Sequence, residues 1–535
     1  MQRLLVANRG EIALRVFRAC RAEGLATVAV VAPDDRGALH ARSADATVEI
    51  RSYLDAGEHV RAAHESGADA VHPGYGFLAE SPAFAEAVLD AGLTWIGPPP
   101  AALRAGGDKL AAKETARAAG IPVLPNGTAE EVGFPLLVKA AAGGGGRGMR
   151  IVRKAAELDH ALEAARREAA AAFGDDTVFF ERYLERPRHV EIQVLADKHG
   201  SVVALGEREC SIQRRHQKVL EESPSVAVDP ELRARMSDAA VAFASAIAYE
   251  SAGTAEFVLD GRDFFFLELN ARIQVEHPVT ELVRGVDLVR EQLRIARDEK
   301  LVTDCNLLGH AVEVRLYAED PRTFLPQAGR IERLRWPSSI RVDAGVEEGD
   351  EVGTSYDPML GKLIAYAPSR AEAYDTLAAA LRETEIDGLT TNLPFLRWLA
   401  AHPLVRAGRT TTAFLTEYPP LSELPPRAPE AAWSGGWRLN LPTPPPRPVP
   451  AVDAAALERG PSAEQSSVTA PMPGTVIKVL VEPGAKVKAR EPLVVLEAMK
   501  METPLASPYD ATVRAVHVAE GDRVAAGAVL VELEE

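Results

Sequence analysis

The chain has 535 residues, 47% of them hydrophobic and 26% charged, with a formal charge of −17. That length and mixture describe a globular protein of several domains. The negative charge excludes nucleic acid or an anionic membrane as a general partner, since both would repel it.

Cys20, Cys210 and Cys305 stand far apart, without metal-ligand or redox spacing, which predicts buried thiols, a reducing compartment and no zinc site. Leu4-Leu5-Val6-Ala7 reads as a short buried strand rather than a charged leader, so a cytoplasmic protein is expected. The longest apolar run, Ala239 to Ala248, falls short of the roughly 20 residues that span a bilayer.

From the N-terminus the pattern predicts strands over 3–7, 27–31, 70–71 and 94–96, alternating with helices over 10–24, 55–66 and 81–91. Residues 1–106 therefore read as a parallel α/β sheet. The turn Asn8-Arg9-Gly10 could bind an anion at a helix start or be a plain strand-to-helix turn. The Gly/Pro-rich loop His72 to Leu78 reads as structural rather than catalytic.

Beyond Asp108 the pattern turns to phosphate chemistry. A strand over 134–141, the loop Gly143-Gly144-Gly145-Gly146-Arg147-Gly148 and a strand over 149–152 put the glycines between two strands. Walker and dinucleotide loops lead into helices instead. Glycines let backbone N–H groups approach phosphate oxygens, and Lys139 beside them can neutralise charge; a flexible linker is the alternative. Glu256, and Glu268 with Asn270 two residues apart on one strand face, are hard oxygen donors suited to Mg²⁺, although such a trio is more often a hydrogen-bonded surface cluster. Arg272 to Pro278, with Arg315, gathers positive charge for an anion and a carboxylate able to act as a base.

Residues 419–467 read as a linker punctuated by Pro419-Pro420, Pro425-Pro426 and Pro444-Pro445-Pro446, with Trp433 and Trp437 as candidate anchors. The last stretch repeats itself at a shift of 37, which lays Pro471 on Pro508, Val476 on Val513, Gly484 on Gly521 and Leu493 on Leu530. Each half reads as short strands broken by a Gly turn, so the two should form a small pseudo-symmetric β-sandwich. Glu497-Ala498-Met499-Lys500-Met501-Glu502 joins the halves, with Lys500 at the tip of the turn. Lys500 is either an ordinary surface lysine or the carrier of a covalent group.

These motifs resemble two known families. Residues 1 to about 418 resemble biotin carboxylase, an ATP-grasp enzyme, through LLVANRGEIALRV, HPGYGFLAE, GDK, VKAAAGGGGRGM, RHVEIQV, CSIQRRHQK, FLELNARIQVEHPVTE, HAVEVRLYAED and YDPMLGKL in order. Residues 470–535 resemble a biotinyl carrier domain through EAMKMETPL; a lipoyl domain shares the architecture but usually lacks the methionines. The resemblance implies a multidomain α/β and α+β chain. Its parts are an N-terminal α/β parallel-sheet domain (1–106), an ATP-grasp domain (107–310, lid about 121–185), a biotin carboxylase C-terminal domain (311–418), the linker (419–467) and a small all-β biotinyl domain of barrel-sandwich hybrid type (468–535).

Carried over by position, the resemblance places the nucleotide at Lys109, Lys139, Gly144, Gly145, Gly146, Gly148, Met149, Glu181, Tyr183, Leu184, His189, Gln213 and His216. It assigns Glu256, Glu268 and Asn270 to Mg²⁺ or Mn²⁺. Lys218, Arg272, Gln274, Val275, Glu276 and Arg315 fall at the bicarbonate and biotin site, and Lys500 at the biotin attachment point. In the implied chemistry Glu276 deprotonates bicarbonate, which attacks ATP to give carboxyphosphate, and Arg315 stabilises the ureido oxygen of biotin. The segment between Ile121 and Lys139 is short for the family, which predicts a smaller lid.

With no carboxyltransferase region following, the expected protein is the α-subunit of an acyl-CoA carboxylase. Its expected partners are a biotin protein ligase and a carboxyltransferase β subunit, within a homo-oligomer and a larger hetero-oligomer. The linker is too short for the docking domain that such chains often carry. The alternatives are the biotin-bearing subunit of a two-subunit pyruvate or urea carboxylase, and, of another class, a carrier or scaffold without ATP chemistry.

Overall fold

The computed structural model describes residues 1–140, 149–173, 175–214, 217–301, 306–422, 467–471, 474–498, 501–524 and 527–534. The glycine loop, His216, Cys305, Trp433, Trp437 and Lys500 lie outside the described residues. The chain falls into two compact units, one made of residues 1–317, 330–350 and 359–422, the other of 318–329, 351–358 and 423–535.

The first unit opens with β1 (Arg3–Val6), β2 (Ala26–Val31), β3 (Ala46–Glu49), β4 (Ala70–His72) and β5 (Thr94–Trp95), in the sheet order β3-β2-β1-β4-β5 with every pairing parallel. Leu4, Leu5 and Val6 are fully buried, as continuous apolar strands of a parallel sheet should be. The expected elements are present, and β3, the 3₁₀ turn Pro33–Asp35, the short helix Leu39–Ser43 and the helix Pro100–Gly107 are additional. The helix Gly10–Ala22 buries Ile12, Val16, Phe17 and Cys20 in a core shared with Leu195, Ala252, Ile273 and Leu293 from much later in the chain. It also buries Arg15, which pairs with Glu281 and Asp287 at 2.6 Å, and Glu11, which faces Lys362 at 3.3 Å. Buried charges need partners, so these pairs help fix the first helix against the rest of the unit.

Next comes a four-stranded sheet of β6 (Asn126–Gly127), β7 (Leu136–Ala140), β8 (Arg150–Val152) and β9 (Val178–Arg182), in the order β6-β9-β7-β8. The helix Leu158–Phe173 covers it through Ala161 and Ala165, packed on Leu136, Val138 and Val152. Between Ile121 and Lys139 stands a single helix of four residues, Ala129–Val132, closed by a capping box between Thr128 and Glu131.

The largest sheet is built from β10 (Arg188–Ala196), β11 (Val202–Arg214), β12 (Gln217–Ser223), β13 (Ser251–Asp260), β14 (Asp263–Asn270), β15 (His310–Tyr317), β16 (Arg341–Ala344) and β17 (Met359–Ala367). Its order is β14-β13-β10-β11-β12-β15-β17-β16, so it runs without a break through position 310. Register brings charged residues face to face across it. Glu268 lies opposite Glu256, Glu256 opposite Glu191, and Glu191 opposite Arg208. Farther along, Glu221 lies opposite Glu313, Arg315 opposite Lys362, and Lys362 opposite Asp343.

The second unit contains two four-stranded antiparallel sheets. One runs in the order Ser467–Thr469, Val529–Glu534, Ala511–Val516, Lys486–Val487; the other runs Met501–Ala506, Pro492–Ala498, Gly474–Val479, Arg523–Val524. A shift of 37 carries each strand of the first order onto the corresponding strand of the second, forwards or backwards along the chain. The repeat seen in the sequence is therefore a structural two-fold, whose core includes Val476, Val487, Leu493, Leu496, Val513, Leu530 and Leu533. The ladder Pro492–Ala498 against Met501–Ala506 closes on the pair Ala498 and Met501, with only Met499 and Lys500 between them. Among the described residues of the whole chain, no helix is long and apolar enough to cross a membrane.

Candidate active site

The site stands on the charged stripe of the large sheet. Lys218 leaves β12 and donates from Nζ to Glu191 Oε2 at 2.5 Å, Glu276 Oε1 at 2.6 Å, Glu256 Oε1 at 2.8 Å and Gln274 Oε1 at 3.2 Å. Burial opposes a charge there, but Glu191, Glu256 and Glu276 together outweigh it and hold the ammonium well above the usual lysine range. Glu276 precedes the helix His277–Arg284, and its second oxygen accepts from Arg315 Nη2 at 2.9 Å. Burial works to raise its pKa, yet Lys218, Arg315 and Arg208 hold it far below the carboxylate range. Arg315 Nε donates to Glu221 Oε1 at 2.6 Å. Burial pushes the Glu221 carboxyl up to about 7, against the pull of Arg315 and with the push of Glu276.

Four of the six sequence-derived residues, Lys218, Gln274, Glu276 and Arg315, are thus joined through hydrogen bonds. Arg272 stands beside them, donating to Asn270 Oδ1 at 3.2 Å and to Glu80 Oε2 at 3.0 Å. Val275 contributes its carbonyl, which accepts from Lys362 Nζ at 2.7 Å.

The expected metal ligands lie next to this cluster. Asn270 Nδ2 donates to Glu256 Oε1 at 2.8 Å, and His189 Nε2 lies 3.1 Å from Glu256 Oε2. Glu268, opposite Glu256, faces Lys109 at 3.5 Å. Two carboxylates and an amide oxygen on neighbouring strands are a donor set that fits Mg²⁺. His189, Glu191 and Glu256 also have ligand atoms within 4.8 Å of one another, and Glu256 belongs to both sets while accepting from Lys218.

Of the nucleotide candidates, Lys139 donates to Glu181 Oε2 at 3.0 Å across β7 and β9. Burial opposes the Lys139 charge, but Glu181 and Glu268 prevail and raise its pKa. Tyr183 stacks with Arg153 at 5.8 Å, and Met149, Tyr183 and Leu184 are half-buried. Gln213, opposite Lys218 in the β11–β12 ladder, donates from Nε2 to the Cys210 carbonyl at 2.9 Å.

Several site residues escaped the sequence reading. Glu191, Glu221 and Glu80 hold Lys218, Arg315 and Arg272. Arg208, wholly buried, anchors Glu191 at 2.5 Å and also bonds Gln193, Thr254 and Thr280. The available signal was a glutamate or arginine inside an otherwise apolar strand, as in His189-Val190-Glu191-Ile192. Cys20 and Cys210 are free and buried, and burial pushes the Cys20 thiol up to about 12.

A parallel α/β sheet, a four-stranded sheet covered by one helix, and a large antiparallel sheet carrying lysines and acidic oxygen donors are the parts of an ATP-grasp ligase. Family models match in sequence: "Biotin carboxylase, N-terminal domain" over residues 1–103, "Carbamoyl-phosphate synthase L chain, ATP binding domain" over 114–303, "Biotin carboxylase C-terminal domain" over 313–417 and "Biotin-requiring enzyme" over 466–533. A pyruvate carboxylase component from Methanothermobacter thermautotrophicus is 47% identical over 441 residues, covering 78% of this chain and 90% of that one. The propionyl-CoA carboxylase alpha chain of Ruegeria pomeroyi is 45% identical, covering 78% of this chain and 68% of its own. The biotin carboxylase domain dimer of Hydrogenobacter thermophilus 2-oxoglutarate carboxylase, solved with MgADP, ADP and bicarbonate, superposes with a TM-score of 0.76 at 43% identity, covering 78% of this chain and 97% of that one. The chain belongs to the biotin carboxylase family of biotin-dependent carboxylases, and carries an ATP-dependent biotin carboxylase region and a biotinyl domain in one polypeptide.

Proposed function

We propose that this chain is the α-subunit of an acyl-CoA carboxylase that uses ATP and bicarbonate to carboxylate biotin held on Lys500. The observation that carries the reading is the Lys218–Glu276–Arg315 arrangement, in which one carboxylate is gripped by an ammonium at 2.6 Å and a guanidinium at 2.9 Å. A carboxylate so paired is a weak base. Bicarbonate entering among Lys218, Arg272 and Arg315 would share those cations, weaken their hold on Glu276 and let it take the bicarbonate proton. The deprotonated oxygen then attacks the γ-phosphorus of ATP; a P–O bond forms as the β–γ bridge breaks, and ADP leaves with the electron pair.

Lys109, Lys139, Glu181, Tyr183, Leu184, His189, Met149 and Gln213, with the glycine loop and His216, are assigned to the nucleotide, and Glu256, Glu268 and Asn270 to Mg²⁺. When bound, Mg²⁺ supplies charge neutralisation on the phosphates and biotin a ureido nitrogen that accepts the carboxyl group. Arg315, already oriented by Glu221, is placed to hold the ureido oxygen as negative charge develops. In this scheme residues 1–106, 107–310 and 311–418 form the carboxylase, 419–467 the linker and 468–535 the carrier. A biotin protein ligase would attach the biotin. The carboxyl group would pass to a carboxyltransferase on a separate polypeptide, which is supported by a relative that is itself named an alpha chain. Self-association is supported by the dimer of the 2-oxoglutarate carboxylase domain.

The acyl-CoA reading is favoured because the propionyl-CoA chain extends well beyond the matched part, as a chain with a fused carrier must. The Methanothermobacter protein is matched over 90% of its length and has little room for one. That relative's 47% identity nonetheless keeps the biotin-bearing subunit of a pyruvate carboxylase as the second reading.

The test has two arms. Biotinylated full-length chain with ATP, Mg²⁺ and radiolabelled bicarbonate should acquire label, and K500R should abolish both this and the streptavidin gel shift while sparing carboxylation of free biotin. Supplied with its co-purifying partner, the labelled chain should discharge to an acyl-CoA and not to pyruvate; discharge to pyruvate alone selects the second reading.

A further inference from the structure

The helix Lys109–Ala118 carries two lysines one turn apart, Lys109 and Lys113, on one face. Like charges at that spacing weaken a helix. Lys109 is partly open beside Glu268, whereas Lys113 has no exposed surface at all. Its ammonium hydrogen-bonds Glu181 Oε1, and the other oxygen of the same carboxylate accepts from Lys139 at 3.0 Å. One buried carboxylate is therefore shared by two buried ammonium groups, which leaves one positive charge in excess. A position that needed only packing would do better with Leu or Met, since burying an ammonium is costly. Glu181, for its part, already has Lys139 as a counterion.

We propose that Lys113 is a positioning residue of the nucleotide site: by taking up the charge of Glu181, it leaves the Lys139 ammonium free to attract the phosphates of ATP. Without Lys113 the pair Lys139–Glu181 is neutral, and an incoming polyanion meets no net charge there. The inference rests on Lys139 and Glu181 belonging to the nucleotide site.

The test measures equilibrium binding of ATP, ADP and adenosine to the full-length chain by calorimetry, with KM and kcat for bicarbonate-dependent ATP cleavage. K113M should weaken ATP about tenfold or more, the scale of one screened charge contact. ADP should lose less, and adenosine should stay within about twofold. KM for ATP should rise while kcat at saturating ATP falls far less, and K113R should bind like the parent. Equal losses for ATP, ADP and adenosine, or a K113R variant as impaired as K113M, would overturn the proposal and leave Lys113 a structural tie. If K139M weakens ATP but K113M does not, this inference alone fails; if K139M has no effect, the assigned nucleotide site fails with it.

Discussion

Replacing Lys218 by methionine keeps the side-chain length and removes one charge from the centre of three buried carboxylates. Glu191, Glu256 and Glu276 would each lose a contact of 2.5 to 2.8 Å. Each keeps one other cationic or ionisable partner, namely Arg208, His189 and Arg315. Deleting one member of a buried ion pair costs about 3–5 kcal/mol, and the surviving partners argue for the lower half of that range. The pH dependence sharpens the expectation. In the parent, Glu256 and Glu276 are held below their unfolded pKa, so their stabilisation is present above about pH 4 and lost as pH falls further. Lys218 is held above its unfolded value, so its contribution is complete below about pH 10 and lost on raising pH further. In K218M the three carboxylates repel one another, and the folded state should bind a proton more tightly than the unfolded chain. The stability gap between parent and variant should therefore narrow as pH falls from about 8 to about 5. Thermal unfolding across that window, followed alongside bicarbonate-dependent ATP cleavage, checks both parts. Cleavage should fall by about 10²–10³, the usual loss on removing one preorganised charge stabiliser. A gap that is constant with pH, or a melting temperature equal to that of the parent, would refute the claim that Lys218 is the counterion of this cluster.

E276Q keeps the shape of the side chain but removes the carboxylate proposed as the base, and should reduce bicarbonate-dependent ATP cleavage by about 10²–10⁴ with nucleotide affinity, read by calorimetry, little changed. Glu221, raised to about 7, destabilises the fold as pH rises from its unfolded value near 4 through 7, so E221Q should flatten the stability profile across that interval in pH-dependent melts. R208M strips a wholly buried guanidinium from Glu191, Gln193, Thr254 and Thr280, and should cost about 3–5 kcal/mol in thermal unfolding, with activity lost as Glu191 ceases to hold Lys218. In the carrier, L493A opens a cavity in a fully buried core and should cost about 2–5 kcal/mol. Labelling of the biotinylated chain by its own active site should then decline after mild heating while free-biotin carboxylation persists.

Local pattern was sufficient wherever the physics is local. The 37-residue repeat fixed the strands of the small sandwich, because alternation and Gly turns repeat with the spacing and the strands of each half pair to match. The continuous apolar runs at Leu4–Val6 and Thr27–Val31 likewise announced a parallel sheet buried on both faces. The resemblance to biotin carboxylase put Lys218, Gln274, Glu276 and Arg315 in one site. It did not supply Glu191, Glu221 or Lys113, which on sequence alone look like ordinary charges on strands or a helix face. Only the order β10-β11-β12-β15 sets the strands of Lys218 and Arg315 side by side with that of Glu191 one strand farther on, and strand order is set by packing between distant segments rather than by any local period. Whether a glutamate is a solvated surface group or the buried counterion of a lysine depends on what the sheet brings against it, and that was decided by the tertiary fold.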